Sequence, residues 1–414
     1  MTKPVPHELT VIGGGLTGLM MATTLAHTGA SVSLIDRTTG DMKMPDERTT
    51  TINAAGVRML QALGVWQRMA EPATPVMRIA VAEGPAPTGL AARRRGGSDL
   101  SWASDDAPMA YVVSNGCLLQ ALADTVATQD IRLRTDTTVT GFTPSDSGTT
   151  LTLQTADGHV ETINTDLIIA CDGANSLMAK EAGLVRRTER QTQTAICTTL
   201  VAERHHGNAA YQRFLSGGPF ALMPGPDNSM SLVWTLPNAE AERLIAADST
   251  EFETACMTAF GSSLGYLHLA GNRLPWRLQP GIRKALTGPG ILLAGDAAHA
   301  IHPLAGQGYN LALADAAVLA DLICMTFARG LTAAHGSLRS EYENRRRPEI
   351  IAMSLATSGL NRLFFETPVS LRRLAGLGFS LLDRLPAKTK FSDIARGGQL
   401  TDAALLRGDL PGQG

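Results

Sequence analysis

The first thirty-six residues constrain the fold more than any other stretch of the chain. Leu9-Thr10-Val11-Ile12 reads as a short buried strand and is followed at once by Gly13-Gly14-Gly15-Leu16-Thr17-Gly18. Met20, Met21, Leu25 and Ala26 then recur at helical spacing. His27, Thr28 and Gly29 close that helix, and Ser31 to Ile35 forms a second strand ending in Asp36. This strand–turn–helix–strand order is what a parallel βαβ unit requires. Gly13, Gly15 and Gly18 stand where a tight turn, close backbone approach to a pyrophosphate and helix–strand packing each need a missing side chain. The helix N-terminus then faces the phosphates. Asp36, 18 residues beyond Gly18, can accept from a ribose hydroxyl and favours a free 2′-hydroxyl, as in FAD or NAD, over NADP. A Gly-x-Gly-x-x-Gly alone also describes an ordinary glycine-rich turn; the flanking strands, helix and terminal acid make dinucleotide binding the better reading.

A length of 414 residues suggests two to three domains. The buried-strand style returns at Leu167 to Ala170, before Cys171-Asp172-Gly173, and at Ile291 to Ala294. Residues 76–109 and about 190–285 read instead as β-rich runs, and the pattern is helical from Leu311 onward. The expected organisation is therefore a discontinuous nucleotide-binding domain over 1–75, 110–185 and 285–340. A β-sheet domain inserted over 76–109 and 186–284 and a helical segment over 341–414 complete it.

Composition narrows the function. A net charge of −2 offers nucleic acid no general attraction. Five scattered cysteines without a Cys-x-x-Cys pair argue against a disulfide framework or zinc ribbon and for a reducing compartment. The start lacks the apolar core of a secretory signal. The longest apolar helical candidate, Leu311 to Phe327, carries Asp315 and Asp321, so no membrane span is expected. His299 and His302 lack a third ligand motif, so no metal site is expected and a structural role in their loop is the better reading. His205-His206 reads as a solvated loop, and Arg93–Arg95 and Arg345–Arg347 as ordinary surface charge.

A second motif runs from Leu292 to Asn310: LLAGDAAHAIHPLAGQGYN. Asp296, after Gly295 at the end of a strand, can bind a ribityl or ribose hydroxyl. Gly306 and Gly308, just before a helix starting near Asn310, expose backbone N–H groups. A helix N-terminus aimed at the N1–O2 edge of a flavin would stabilise the negative charge of its reduced form. Together the glycine-rich start, Cys171-Asp172-Gly173-Ala174-Asn175-Ser176 and this segment resemble the group A FAD-dependent aromatic hydroxylases. Asp46-Glu47-Arg48-Thr49-Thr50-Thr51-Ile52-Asn53, Phe220 to Pro224 and Ser231 to Trp234 are similar to the ubiquinone-biosynthesis branch. The resemblance covers about residues 8 to 385.

The resemblance implies an α/β fold: a Rossmann-like FAD domain of the para-hydroxybenzoate hydroxylase kind, an inserted β-sheet substrate domain and a helical C-terminus. It implies FAD contacts from Gly13, Gly15 and Gly18 at the pyrophosphate, Asp36 at the adenosine ribose, Arg48 at the pyrophosphate or flavin edge, and the Val139 backbone at the adenine. Asp172 would serve both FAD and a transiently bound NAD(P)H. Gly295 and Asp296 would serve the ribityl–pyrophosphate region, while Pro303, Gly306, Gln307, Gly308 and Asn310 flank the isoalloxazine. Three positions depart from the pattern: Gly116 after Asn115 and Ala179 beside Lys180 where arginines are common, and Ala312 where glycine is common.

The implied reaction is hydroxylation of a polyprenylated phenol with O2, through a C4a-hydroperoxide of the reduced flavin, with preference for the methoxylated intermediate. No protein group stands out as a catalytic base. A soluble phenol substrate and a non-catalytic flavin-binding subunit of a ubiquinone-biosynthesis complex are the rival readings. Between Arg339 and Arg396, eleven basic residues against six acidic leave a local charge of +5. Leu371, Leu374, Leu381, Leu382 and Leu385 share one helical arc there, with Arg372, Arg373 and Arg384 on another, which suits an interfacial helix on anionic lipid. The expected location is therefore cytoplasmic with peripheral contact to the inner membrane.

Overall fold

The computed structural model describes residues 7–38, 48–69, 73–85, 100–104, 106–188, 191–302, 306–365 and 402–412. Its organising element is a six-stranded sheet. The strand order is Thr287–Gly288, Ile291–Leu293, Leu167–Ala170, Glu8–Ile12, Ser31–Ile35, Ile131–Arg134, parallel apart from the first pair. Helices cover a sheet of this kind on both faces, which is why its strands are apolar runs rather than alternating ones. Leu9, Val11, Leu34, Ile169 and Leu292 are wholly buried. Three separate stretches of chain thus build one sheet. The helix Gln307–Ala328 lies in the same core, with Leu313, Leu319 and Ile323 inaccessible to solvent.

That helix revises one expectation. Asp315 and Asp321 do not interrupt it, and by length and composition alone it could cross a membrane, with a mean hydropathy of 1.9. It is instead mostly packed inside the protein. Its acids are satisfied there: Asp315 by charged partners described below, and Asp321 by the Ala404 backbone N–H at 3.0 Å.

The second large element is an eight-stranded sheet. It runs Leu267–Leu269, Gln193–Ala202, Ser229–Pro237, Gly218–Pro224, Ala209–Leu215, Arg78–Glu83, Leu100–Ala103, with Leu274–Arg277 also pairing to Gln193–Ala202. Side chains alternate across a strand, so the two faces differ in kind. Ile196, Phe220, Leu222, Leu232 and Trp234 point to one face and form a separate core with Phe252, Cys256 and Phe260 of the helix Ser249–Phe260. Phe220 meets Trp234 edge-on at 5.1 Å. The opposite face carries Ala195, Cys197, Ala221, Ser231 and Val233 and looks back toward the first domain. The three-stranded sheet Thr49–Asn53, Ala110–Ser114, Thr74–Val76 spans the gap, tied across by Thr49 Oγ1 donating to Ser231 Oγ at 2.8 Å.

The helix Gly336–Phe365 begins the C-terminal part and contains Pro348. Within it the Arg345–Arg347 run is not uniform surface charge. Arg345 and Arg347 make partly exposed i,i+4 pairs with Glu341 and Glu343, but Arg346 is completely buried. His206 likewise is buried rather than solvated, bonded to the Gly225 carbonyl at 3.0 Å. In both cases a neighbouring element folds over one member of a charged run, which local sequence does not signal. The run Arg93–Arg95 and the leucine–arginine pattern over 371–385 lie outside the described residues. The final described segment, 402–412, returns to the core, where Leu405 is buried and Arg58 Nε donates to the Leu406 carbonyl at 2.9 Å.

Candidate functional site

Among the described residues, a cavity of about 1120 Å3 runs between the six-stranded and the eight-stranded sheet, beyond the 300–1,000 Å3 usual for a small-ligand site. One end is the first glycine turn. Gly13 has φ +107°, and a Cβ there would come within 2.7 Å of the Cys171 carbonyl oxygen. A Cβ on Gly18 would fall 1.6 Å from the Gly13 carbonyl oxygen, so Gly18 serves the packing of turn against helix and does not line the cavity. Gly15 differs: a Cβ there would meet nothing within 4 Å and would project into open cavity. The fold itself does not require glycine at that position, and the bare backbone there leaves the cavity open to a ligand. Asp36 closes this end, its Oδ2 accepting from the Gly14 N–H and its Oδ1 from the Thr38 N–H at 2.7 Å. Val139, on the strand Thr137–Ser145, forms the adjoining wall.

The middle of the cavity brings Asp172, Asp296 and Arg48 together. Asp172 Oδ2 accepts from the Met178 N–H at 3.2 Å, whereas its Oδ1 is buried without a partner. Asp296 opens to the cavity but is otherwise enclosed by protein. That enclosure raises its carboxyl pKa, against the pull of His299, Arg186 and Arg48. The Arg48 guanidinium lies 4.3 Å over the Trp276 ring. Gly306, with φ +63°, begins the helix Gln307–Ala328, and it lines the cavity with Gly308, Tyr309 and Ala312.

Gln307 and Asn310 do not line it. Asn310 is a fastener: its Nδ2 donates to the Thr51 carbonyl at 2.9 Å and its Oδ1 accepts from the Asn53 N–H at 3.0 Å. Gly295 is also behind the wall, its φ of +57° setting the turn against Thr17. Pro303 lies outside the described residues. Of the two positions where arginine is common, Ala179 is fully buried and Gly116 does not line the cavity, although its neighbour Asn115 does.

Sequence reasoning missed what holds the Asp296 loop. Asp315 Oδ2 accepts from the Gly295 N–H at 2.8 Å and from His299 Nε2 at 2.7 Å, while Oδ1 takes Arg346 Nε at 2.7 Å. Glu349 balances Arg346 from the same helix. Burial alone would push the Asp315 carboxyl up, but His299 and Arg346 together hold it below its ordinary value. Arg186 ties the other rim, donating to the Ala174 carbonyl at 2.8 Å and also to that of Gln279. The only sequence signal for these roles was charge inside otherwise apolar or helical stretches.

The residues fit an FAD-sized ligand. A long cavity, a backbone turn left bare at Gly15, an acid at the far strand end and a half-unpaired Asp172 suit ribose, pyrophosphate and polar ring edges in that order. Among the described residues, no group of three or more His, Cys, Asp or Glu could hold a metal ion.

The FAD binding domain family matches residues 7–356. The chain is 33% identical over 377 residues to the ubiquinone hydroxylase UbiL of Rhodospirillum rubrum, covering 90% of this chain and 85% of that protein. It is 29% identical over 393 residues to the 3-demethoxyubiquinol 3-hydroxylase of Escherichia coli, covering 92% and 95%. The p-nitrophenol 4-monooxygenase PnpA of Pseudomonas putida superposes with a TM-score of 0.76 over 95% of this chain and 99% of that one, at 16% identity. That last likeness is one of fold.

Proposed function

Because this chain belongs to the FAD-binding family of flavoprotein monooxygenases, we propose that it hydroxylates the aromatic ring of a polyprenylated phenol in ubiquinone biosynthesis. The observation that carries this reading is the composition of the cavity. A polar cofactor half, with Asp36, Asp172 and Asp296, faces an apolar sheet half built of Ala195, Cys197, Ala221 and Val233. When bound and reduced, FAD would supply the electrons that activate O2, and one oxygen atom of O2 would enter the ring while the other leaves as water.

The chain's own residues bind, orient and exclude water. Gly13 and Gly15 leave room for the pyrophosphate, Asp36 accepts from the adenosine ribose and Asp296 from the ribityl chain. The Val139 backbone serves the adenine. Gly306 and Gly308, at the N-terminal turn of a cavity-lining helix, would hold the isoalloxazine edge through backbone N–H groups, where the helix dipole would favour negative charge. The small side chains of the sheet face leave a dry slot for an aromatic ring, and exclusion of water protects a reactive oxygen donor from side reactions. NAD(P)H serves as a transient reductant in the same groove, since the sequence contains no second glycine fingerprint. The relatives' ubiquinone-pathway names favour a lipid-tailed substrate and hence peripheral contact with a membrane or a biosynthetic complex, while the sequence between Asp46 and Trp66 is the ground for preferring the methoxylated phenol.

Purified FAD-loaded protein should oxidise NADPH faster when a 2-polyprenyl-6-methoxyphenol is added, with matching O2 uptake and one oxygen gained by the phenol in mass spectra. Absence of any hydroxylated product with polyprenylphenols under every reductant would overturn the reading. Complementation of strains each lacking one ring-hydroxylation step identifies the carbon attacked.

A further inference from the structure

The cavity face of the eight-stranded sheet continues beyond the cavity wall. Cys197 pairs with Val233, Val233 with Ala221, and Ala221 with Gln212, each directly opposite the last on neighbouring antiparallel strands. Directly opposed residues share a face, so the Gln212 side chain leaves the sheet on the side that Ala221 lines. Gln212 is only 7% exposed, and neither its Oε1 nor its Nε2 has a hydrogen-bond partner. Two residues back on the same strand face, Ala210 belongs to a small apolar cluster with Met223, Ile79 and, from the neighbouring sheet, Val76, Ala110 and Val112, and the residues directly opposite Gln212 are Ala221 and Val81.

A buried amide without partners is costly, and a methionine or leucine would fill the same space without that penalty. Small residues alone would mark only an empty slot. A doubly unpaired amide on the same face, one strand beyond the alanine that lines it, supplies what the slot lacks: a donor and an acceptor for an arriving ligand. Oxygen substituents on a phenolic ring offer the matching chemistry, and Ala221, directly opposite Gln212 on the neighbouring strand, is itself a cavity-lining residue.

We propose that Gln212 is a specificity-determining residue, its amide hydrogen-bonding an oxygen substituent of the substrate ring at the Ala221 end of the cavity. This rests on the aromatic-hydroxylase reading above. Discrimination by a polar site exceeds what an apolar slot achieves, because the wrong ligand leaves the buried amide unpaired.

The test titrates FAD-loaded full-length protein with 2-methoxyphenol and with 2-ethylphenol, its isostere without the ether oxygen, following the absorbance of the bound flavin. The wild-type protein should prefer the methoxyphenol about tenfold, the worth of one good hydrogen bond in a buried site. Gln212→Met should reduce that preference to within about twofold, with unchanged FAD content and a melting temperature no lower than wild type. Ala221→Leu, which keeps the amide but blocks the approach to it, should also erase the preference. A tenfold preference that survives Gln212→Met overturns the assignment. Equal binding of both phenols by the wild type also overturns it, while the hydroxylase reading stands. If neither phenol perturbs the flavin, the aromatic-substrate reading falls and Gln212's role with it.

Discussion

His299 and Asp315 meet through Nε2 and Oδ2 at 2.7 Å, with neither side chain reaching solvent. His299 sits just beyond the turn that carries Asp296, and Asp315 lies in the helix Gln307–Ala328 that follows. Because the same Oδ2 also holds the Gly295 N–H, a single carboxylate clamps both ends of the turn that presents Asp296. Arg346 brings the C-terminal helix to the same point.

Asp315→Asn should therefore be strongly destabilising, by about 3–5 kcal/mol, since it leaves buried charge without its partner. The sign of the pH effect follows from the lowered carboxyl pKa. The stabilisation is present above the ordinary value of 3.8 and is lost as pH falls through the lower folded-state value. Urea midpoints of wild type and variant should differ fully at pH 7 and converge only in strong acid. A constant gap down to pH 2 would show that the charge is not what matters.

His302 makes the opposite kind of titration. It is buried, neither ring nitrogen has a partner, and burial pushes its pKa down to about 4. The folded state thus prefers the neutral ring: stability is complete above 6.5 and declines as pH falls toward 4. Forcing the charge onto the buried ring costs about 3 kcal/mol. His302→Leu should flatten the urea midpoint between pH 7 and 4.5, where the wild-type midpoint falls.

The glycines of the first turn should separate by mechanism. Gly18→Ala must displace the Gly13 carbonyl, 1.6 Å from the new Cβ, and should cost about 3 kcal/mol or more in chemical denaturation. Gly15→Ala meets nothing in the protein, so its apparent melting temperature without FAD should match wild type, while FAD affinity falls at least about tenfold. Equal FAD affinity in Gly15→Ala would place the pyrophosphate elsewhere.

Asn310→Ala tests a residue that the sequence pattern assigns to the flavin. Its side chain satisfies the Thr51 carbonyl and the Asn53 N–H, so its removal should cost about 2 kcal/mol of stability from two orphaned backbone groups. FAD affinity measured well below the unfolding midpoint should change little by comparison. A variant of native stability with lost FAD would reverse that assignment.

The order strand, glycine turn, helix, strand, acid was readable from residues 8 to 36 because each step is local. Apolar runs report burial, a positive φ asks for glycine, and an acid at a strand end needs no distant partner to be recognised. The same holds for Leu167–Ala170 and Ile291–Leu293, which the six-stranded sheet unites. Nothing local distinguished Arg346 from Arg345 and Arg347, or marked Asp315 as more than a charge in an apolar helix. Their roles arise from partners 31 residues apart. Nor did alternation along Gln193–Ala202 say which face would meet the cofactor half and which would pack on Phe252 and Phe260. Sequence periodicity determines that a strand has two faces. Only the docking of one domain against the other, through contacts distant along the chain, decides which face becomes a core and which becomes a site.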